Sequence, residues 1–453
     1  MDDSIVYHFD DASDFYAELD DVLQQRTCDS SEIAHEITRT YLSLLINFQN
    51  DFLNTLAEVS YVMYKLIDSP VYTRYHLPII RHLITTRAMV SSNISELSII
   101  YALLLHAGRE DLTVMKVIVQ TSVNAQGVNH FLKKLCDEIE YCVGGTRFTT
   151  ILLMLTFEMC KVAKLSKQDL GHISPAFIHY LLDIVESMST DNDELLNYSA
   201  MRLILVFNEQ FMMQRAMCSI DGEQESQNQI LRVLKSKIGS SKTFSENLIF
   251  MLNRADDACV QMLILKLLYL IFTTEGLYEF FYTNDLCVLV DIVLRELCDL
   301  GDESDAEALR QTYLRVLNPM LVNTQLHYTP YKHQQIHRIL CAMIAPRAYR
   351  PVNTTTQRLV QRIMEDWWAD VCNEHVAPVV GVHLDKIQIG PDNVAVAIAA
   401  ESPPKAASPK VSTPINAESV TVLSDSTSQT TTTISASKPI SKGDDADRGV
   451  LCA

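Results

Sequence analysis

An all-α, armadillo- or HEAT-like helical solenoid with degenerate repeats is the fold this sequence predicts, and three observations carry it. Apolar residues recur at helical spacing through most of the chain up to Trp368. Gly and Pro are sparse, 13 and 14 in 453 residues, and the apolar set is dominated by Leu, Ile, Val and Met. No segment shows the sustained period-two alternation and regular turn spacing of strands. The chain divides into an acidic segment over 1–30, an armadillo-like helical domain over 31–375 and a tail over 376–453.

Taken in order, the first 36 residues hold eleven Asp and Glu against the single base Arg26. This acidity reads either as a solvated helical face with a frayed end, or as an arm that binds a basic partner or masks a basic patch. Ser30 and Ser31 then cap a periodic run from Ile37 to Leu66, which predicts one long helix ending at Asp68-Ser69-Pro70. Shorter helices are predicted over 72–89, 93–106, 109–121, 127–140 and 148–165, with turns at Ser91-Ser92-Asn93, Ala107-Gly108 and Gly144-Gly145. The last of these is a helix break, since no GxxxxGK[ST] or βαβ spacing surrounds it.

Helices resume over 173–188 and 191–214. A polar loop from Ser219 to Ser226 leads to Ile230–Ile238, and a strongly apolar helix follows Asp257. That run, Ala258 to Phe272, contains Gln261 and Lys266 and falls short of the ~20 apolar residues of a membrane span. Phe280 to Lys332 reads as two amphipathic helices around an acidic loop. The last helix begins near Thr354 and ends in the Trp367-Trp368 pair, which either covers the open end of the helix stack or forms an exposed aromatic anchor. Beyond Glu401 the chain is rich in Ser, Thr and Pro and lacks aromatic residues, so it is predicted to be disordered. Ser402-Pro403, Ser408-Pro409 and Thr413-Pro414 are candidate proline-directed phosphorylation sites.

Three stretches look like one inner helix recurring: those starting at Tyr198, Val260 and Tyr313. Their spacing exceeds the ~40 to 47 residues of armadillo and HEAT units, so insertions between repeats are required.

Composition narrows the function. The formal net charge of -19 argues against general nucleic-acid binding. Eleven scattered Cys without CxxC point to reduced, mostly buried thiols in a cytosolic protein. The N-terminus lacks the basic and apolar regions of a signal peptide. His327, His333 and His337 have no acid or Cys placed as in HExxH, so no metal site and no cofactor are expected. With no GxSxG or nucleotide fingerprint, an interaction protein is expected rather than an enzyme.

The charge pattern says more. Between Glu307 and Glu365 there is no Asp or Glu, while Arg310, Arg315, Lys332, Arg338, Arg347, Arg350, Arg358 and Arg362 are basic. Tyr313, Tyr328, Tyr331 and Tyr349 are interleaved. Either these bases pair within the molecule, with the acidic N-terminus or the 302–307 loop, or they present a basic face to an acidic protein surface. Arg and Tyr are the residues of interface hot spots. The candidate partner-binding residues are Arg310, Arg315, Tyr328, Tyr331, Lys332, His333 and Arg338.

The stretch FFYTNDLCVLVDIVLRELCDL followed by LRQTYLRVLNPMLVNTQLHYTPYK resembles the signature of the WISH/DIP/SPIN family, its fungal branch in particular. The resemblance rests on Tyr282-Thr283-Asn284-Asp285, Asp291-Ile292, Arg295, Asp299-Leu300, Arg310, Tyr313-Leu314, Asn323-Thr324, Tyr328 and Tyr331. It implies a non-catalytic activator of the actin-related protein 2/3 complex that needs no preformed filament and seeds linear filaments at endocytic actin patches of the cell cortex. The alternative is a generic armadillo-like adaptor without nucleation activity. Animal members bear an N-terminal SH3 domain, and this N-terminus shows no β-rich segment expected of one. Pro403-Pro404, Pro409 and Pro414 form no strict PxxP, so recruitment of SH3-containing endocytic adaptors by the tail is a weaker implication.

Overall fold

The computed structural model describes residues 8–369 except 10, 25–29, 142–144, 188–193, 222–227, 256, 302 and 346–351. All of these belong to one unit, Met1–Val379. The predicted tail, Arg347, Arg350 and Tyr349 lie outside the described residues.

Eighteen α-helices follow one another among them: α1 (Ala12–Gln24), α2 (Ser31–Phe52), α3 (Leu56–Ile67), α4 (Pro70–Leu83), α5 (Ile94–Glu110), α6 (Leu112–Thr121), α7 (His130–Tyr141), α8 (Gly145–Val162) and α9 (Lys167–His172), then α10 (Pro175–Ser187), α11 (Glu194–Asp221), α12 (Gln229–Ser236), α13 (Lys242–Arg254), α14 (Ala258–Thr273), α15 (Thr283–Asp299), α16 (Ser304–Asn323), α17 (His333–Ile344) and α18 (Thr354–Ile363). A π turn follows α4 at Ile84–Ala88 and another follows α18 at Met364–Trp368. The described residues contain no strand, only an isolated bridge between Val123 and Asn129.

The helices form two ladders. An inner one runs α2, α5, α8, α11, α14, α16, α18, each packed on the next, and an outer one runs α7, α10, α13, α15, α17. The inner helices from α5 onward begin about fifty residues apart, and the longest interval, between α11 and α14, holds α12 besides the outer-ladder helix α13. The three related stretches at Tyr198, Val260 and Tyr313 lie on α11, α14 and α16, consecutive rungs of the inner ladder.

Position in the ladder explains their composition. α14 buries Val260, Leu263, Ile264, Leu265, Leu267, Leu268, Ile271 and Phe272, because neighbours cover it on nearly every side. Each such side chain contributes roughly 1.5–3 kcal/mol on burial. α1 joins the same core through Phe15 and Leu19, with Asp20 paired to Lys65 at 2.6 Å. Its first described residues therefore dock on α2, at the opposite end of the ladder from α18.

Several elements differ from expectation, each for a local reason. The single long helix over Ile37–Leu66 is two, α2 and α3, parted at Leu53-Asn54. Thr55 accepts from the Glu58 amide at 3.2 Å while the Glu58 carboxylate accepts from the Thr55 and Asn54 amides, a capping box that outbids helix continuation. Ala107-Gly108 is not a turn but part of α5, where a Cβ at Gly108 would collide with the Met115 side chain of α6. The polar run from Ser219 does not start a loop, since α11 continues to Asp221. α9 and α13 were unforeseen. Of the described thiols, Cys136 and Cys160 are buried, but Cys298 and Cys341 are exposed on the solvent sides of α15 and α17.

Candidate partner-binding edge

The acid-free segment supplies α17, α18 and most of α16. Arg310 sits near the start of α16, and its guanidinium does not face outward. It donates to the Leu300 carbonyl at 2.9 Å, to the Gly301 carbonyl at 2.6 Å and to the Glu307 carboxylate, and its side chain is only 11% exposed. Glu307 also accepts from the Thr356 hydroxyl of α18 and from Gln311. Burial pushes the Glu307 carboxyl up, but the hydrogen bonds from Thr356, Gln311 and Arg310 outweigh it and hold the group below its ordinary range. Arg310 thus ties the 300–301 turn to the junction of α16 and α18, the intramolecular pairing that was one of the two readings of the segment.

A second network sits between α15 and the start of α17. Asp291 on α15 accepts from the Tyr331 hydroxyl at 3.2 Å and from Lys332 Nζ at 2.7 Å. The Lys332 ammonium also lies 5.2 Å from the Tyr331 ring. The hydrogen bond to Asp291 raises the Lys332 pKa above its ordinary value. Lys332 is the one non-Gly residue at positive φ among the described residues, at 48°, and it occupies the N-cap of α17. A left-handed N-cap carries strain, and the hydrogen bonds of Lys332 and its neighbour Tyr331 to Asp291 offset it.

The remaining candidates are more open. Tyr328 is 78% exposed, with the His327 ring edge-on at 4.9 Å. Arg315 on α16 and Arg338 on α17 are exposed and make no ion pair among the described residues. His333 is half-buried, 6.3 Å from the Trp368 ring, and His337 stacks on Trp368 at 4.1 Å. Trp367 is fully buried and Trp368 half-buried, so one indole closes the end of the ladder while its neighbour supports α17. The structure therefore brings Tyr331, Lys332 and the start of α17 together, and leaves Arg310 in a separate network.

Several of the residues that carry the family resemblance are internal ties. Arg295 bonds Asn253 Oδ1 at 2.8 Å, Asn323 bonds the Phe272 carbonyl at 2.8 Å, and Tyr313 is buried. The first two each join one repeat to another. Asp291 was missed as a member of the edge because it lies 41 residues before Lys332, outside the acid-free segment. No group of three His, Cys, Asp or Glu able to hold a metal ion occurs among the described residues. No described helix is long and apolar enough to cross a membrane.

The fold and edge define an α-solenoid built from degenerate helical repeats, with a basic and aromatic margin at its C-terminal end. A family model described as "SPIN90/Ldb17, leucine-rich domain" matches residues 193–336, which include every candidate residue except Arg338. Protein dip1 of Schizosaccharomyces pombe is 30% identical over 330 residues, which cover 72% of this chain and 85% of that protein. Protein LDB17 of Saccharomyces cerevisiae is 37% identical over 199 residues, 43% of this chain and 38% of that protein. LDB17 of Eremothecium gossypii is 30% identical over 196 residues, 43% of this chain and 40% of that protein. The chain belongs to the SPIN90/Ldb17 family. It spans about two fifths of the length of the two LDB17 proteins.

Proposed function

We propose that this chain is a non-catalytic activator of the actin-related protein 2/3 complex, triggering actin nucleation without a preformed filament. Membership of the SPIN90/Ldb17 family, through an alignment over 85% of the dip1 protein, is the observation that carries the reading. Activation works by differential binding: the helical body docks more tightly on the active arrangement of the complex and shifts its population, with no bond made or broken by the activator. Arg315, Tyr328, Tyr331, Lys332, His333 and Arg338 form the docking edge, while Arg310 holds the junction of α16 and α18 apart from it. The product is a linear seed for branched networks at cortical patches, in the cytoplasm.

The test is pyrene-actin assembly with the purified complex, without preformed filaments or WASP-type proteins. Added chain is expected to shorten the lag in a concentration-dependent way. An unchanged lag, with the complex still recovered in a pull-down, leaves an adaptor without nucleation activity and rejects the proposal.

A further inference from the structure

Far from that edge, in residues 89–148 and outside the matched leucine-rich domain, an open groove of ≈ 640 Å³ separates the start of α5 from α7. α7 packs on α8, α9 and α10, and its other flank faces the groove. Leu97 and Phe148 form a buried apolar floor beside half-buried Met89. Two apolar side chains that face solvent stand at its margins, Ile94 at 41% and Tyr141 at 74% exposure.

The charges along α7 say what kind of partner fits. Its first half carries His130, Lys133 and Lys134, and its second half Asp137, Glu138 and Glu140. That order opposes the helix dipole, which favours acids at the N-terminus and bases at the C-terminus, so it costs α7 stability. Two of the charges are consumed internally: Lys134 donates to the Ser91 carbonyl at 2.6 Å and pairs with Glu138 at 3.5 Å, while Glu138 also accepts from the Tyr101 hydroxyl at 2.8 Å. Lys133 and Asp137 are exposed and make no ion pair among the described residues. They leave a positive and a negative point one helical turn apart beside an apolar floor.

We propose that this groove docks an amphipathic helix of a partner protein, laid parallel to α7, with apolar anchors along one edge and, beside them, an acidic residue followed one turn later by a basic one. An acid one turn before a base is the favourable order within a helix, and it meets Lys133 with the acid and Asp137 with the base. The same order that is unfavourable within α7 becomes complementary across the groove. The anchors fill the space over Leu97 and Phe148 between Ile94 and Tyr141.

The experiment uses the full chain and two synthetic helical peptide sets with identical apolar anchors. One set carries the acidic-first charge order and the other is its reverse, and binding is read by fluorescence anisotropy. The acidic-first set is expected to bind, and the reversed set at least about tenfold more weakly. The double variant Lys133→Glu, Asp137→Lys should invert the preference, and Ile94→Lys should abolish binding of both sets, with unchanged thermal melting because all three side chains are exposed. Equal binding of the two sets, no binding by either, or binding that survives Ile94→Lys overturns the proposal. So does concentration-dependent self-association that Ile94→Lys abolishes, which would assign the groove to a second copy of the chain.

Discussion

Asp291 on α15 holds Lys332 at the N-cap of α17, carboxylate to ammonium at 2.7 Å, across 41 residues of sequence. The bond gives the acid-free segment its missing counter-charge from the preceding repeat. It also fixes the strained backbone from which α17 begins, and with it the position of Tyr331. The basic edge is therefore only partly a free electrostatic surface. Lys332 is held in place, whereas Arg315 and Arg338 stand open to a partner.

Charge reversal at those open positions separates docking from folding. Arg315→Glu and Arg338→Glu are expected to weaken binding to the actin-related protein 2/3 complex about tenfold each, chiefly through slower association and with marked salt dependence. Their melting temperatures should stay close to that of the parent chain, as for most exposed substitutions. Lys332→Glu should lower both binding and melting temperature, because it sets a second carboxylate against Asp291. Pull-down and nucleation assays beside thermal melts check all three. Unchanged binding by Arg315→Glu and Arg338→Glu would place the docking surface elsewhere.

Arg310 should behave in the opposite way. Arg310→Ala leaves the Leu300 and Gly301 carbonyls and the Glu307 carboxylate without their charged donor, at a cost of about 1.5–3 kcal/mol. Urea unfolding measures that loss directly. Activity per folded molecule at low temperature should be nearly that of the parent, since the guanidinium is occupied within the molecule. A variant that keeps full stability and loses activation would return Arg310 to the partner surface.

The contrast between these two bases shows what a single sequence can convey. Helical period and the recurring stretches at Tyr198, Val260 and Tyr313 made the inner ladder legible, because burial on all sides imposes a local composition. The absence of acids over 308–364 made the edge legible as a charge pattern. Which base is free was not legible. Arg310 is neutralised by Glu307 at i-3, just outside the acid-free run, and Lys332 by Asp291 on another helix. Helix α13 was legible in principle, since Phe244, Leu248, Met251 and Leu252 keep helical spacing, but the run is short, polar on its other face and enclosed by the Gly239–Ser241 turn and Asp256-Asp257.

His106 gives the fold a pH dependence. The imidazole projects from α5 towards α3, with Ser60 Oγ 3.2 Å from Nε2, the Tyr64 ring at 5.2 Å and a buried Nδ1 without a hydrogen-bond partner among the described residues. Burial, with Arg109 adding repulsion and Glu110 opposing it, pushes its pKa down to about 4. The folded state thus prefers the neutral ring, while the unfolded chain takes up a proton near its ordinary pKa of ~6.5. The associated stability is complete above that value and is lost as pH falls from ~6.5 towards ~4. Urea midpoints of the parent chain should decline over this window, and His106→Gln, which keeps a polar group for Ser60, should flatten the decline. Parallel slopes for the two proteins would show that the His106 proton is not the cause.

Trp367 tests whether the ladder is coupled end to end. It is the largest fully buried side chain, set in the π turn after α18 and packed against α16. Its Nε1 has no hydrogen-bond partner among the described residues, so the indole contributes through packing rather than hydrogen bonding. Trp367→Ala should cost about 3–5 kcal/mol locally, and Trp367→Phe distinctly less because it sacrifices no bond. In a stack whose repeats contact mainly their neighbours, the loss should fray the last rungs first. Hydrogen exchange is expected to show lost protection in α17 and α18 with α5 and α8 unchanged. Because His337 of α17 stacks on the adjoining Trp368, activation should fall with that fraying in Trp367→Ala and persist in Trp367→Phe. Uniform loss of protection from α5 to α18 would instead mean that the helical unit unfolds as one cooperative body, and that its end cannot loosen alone.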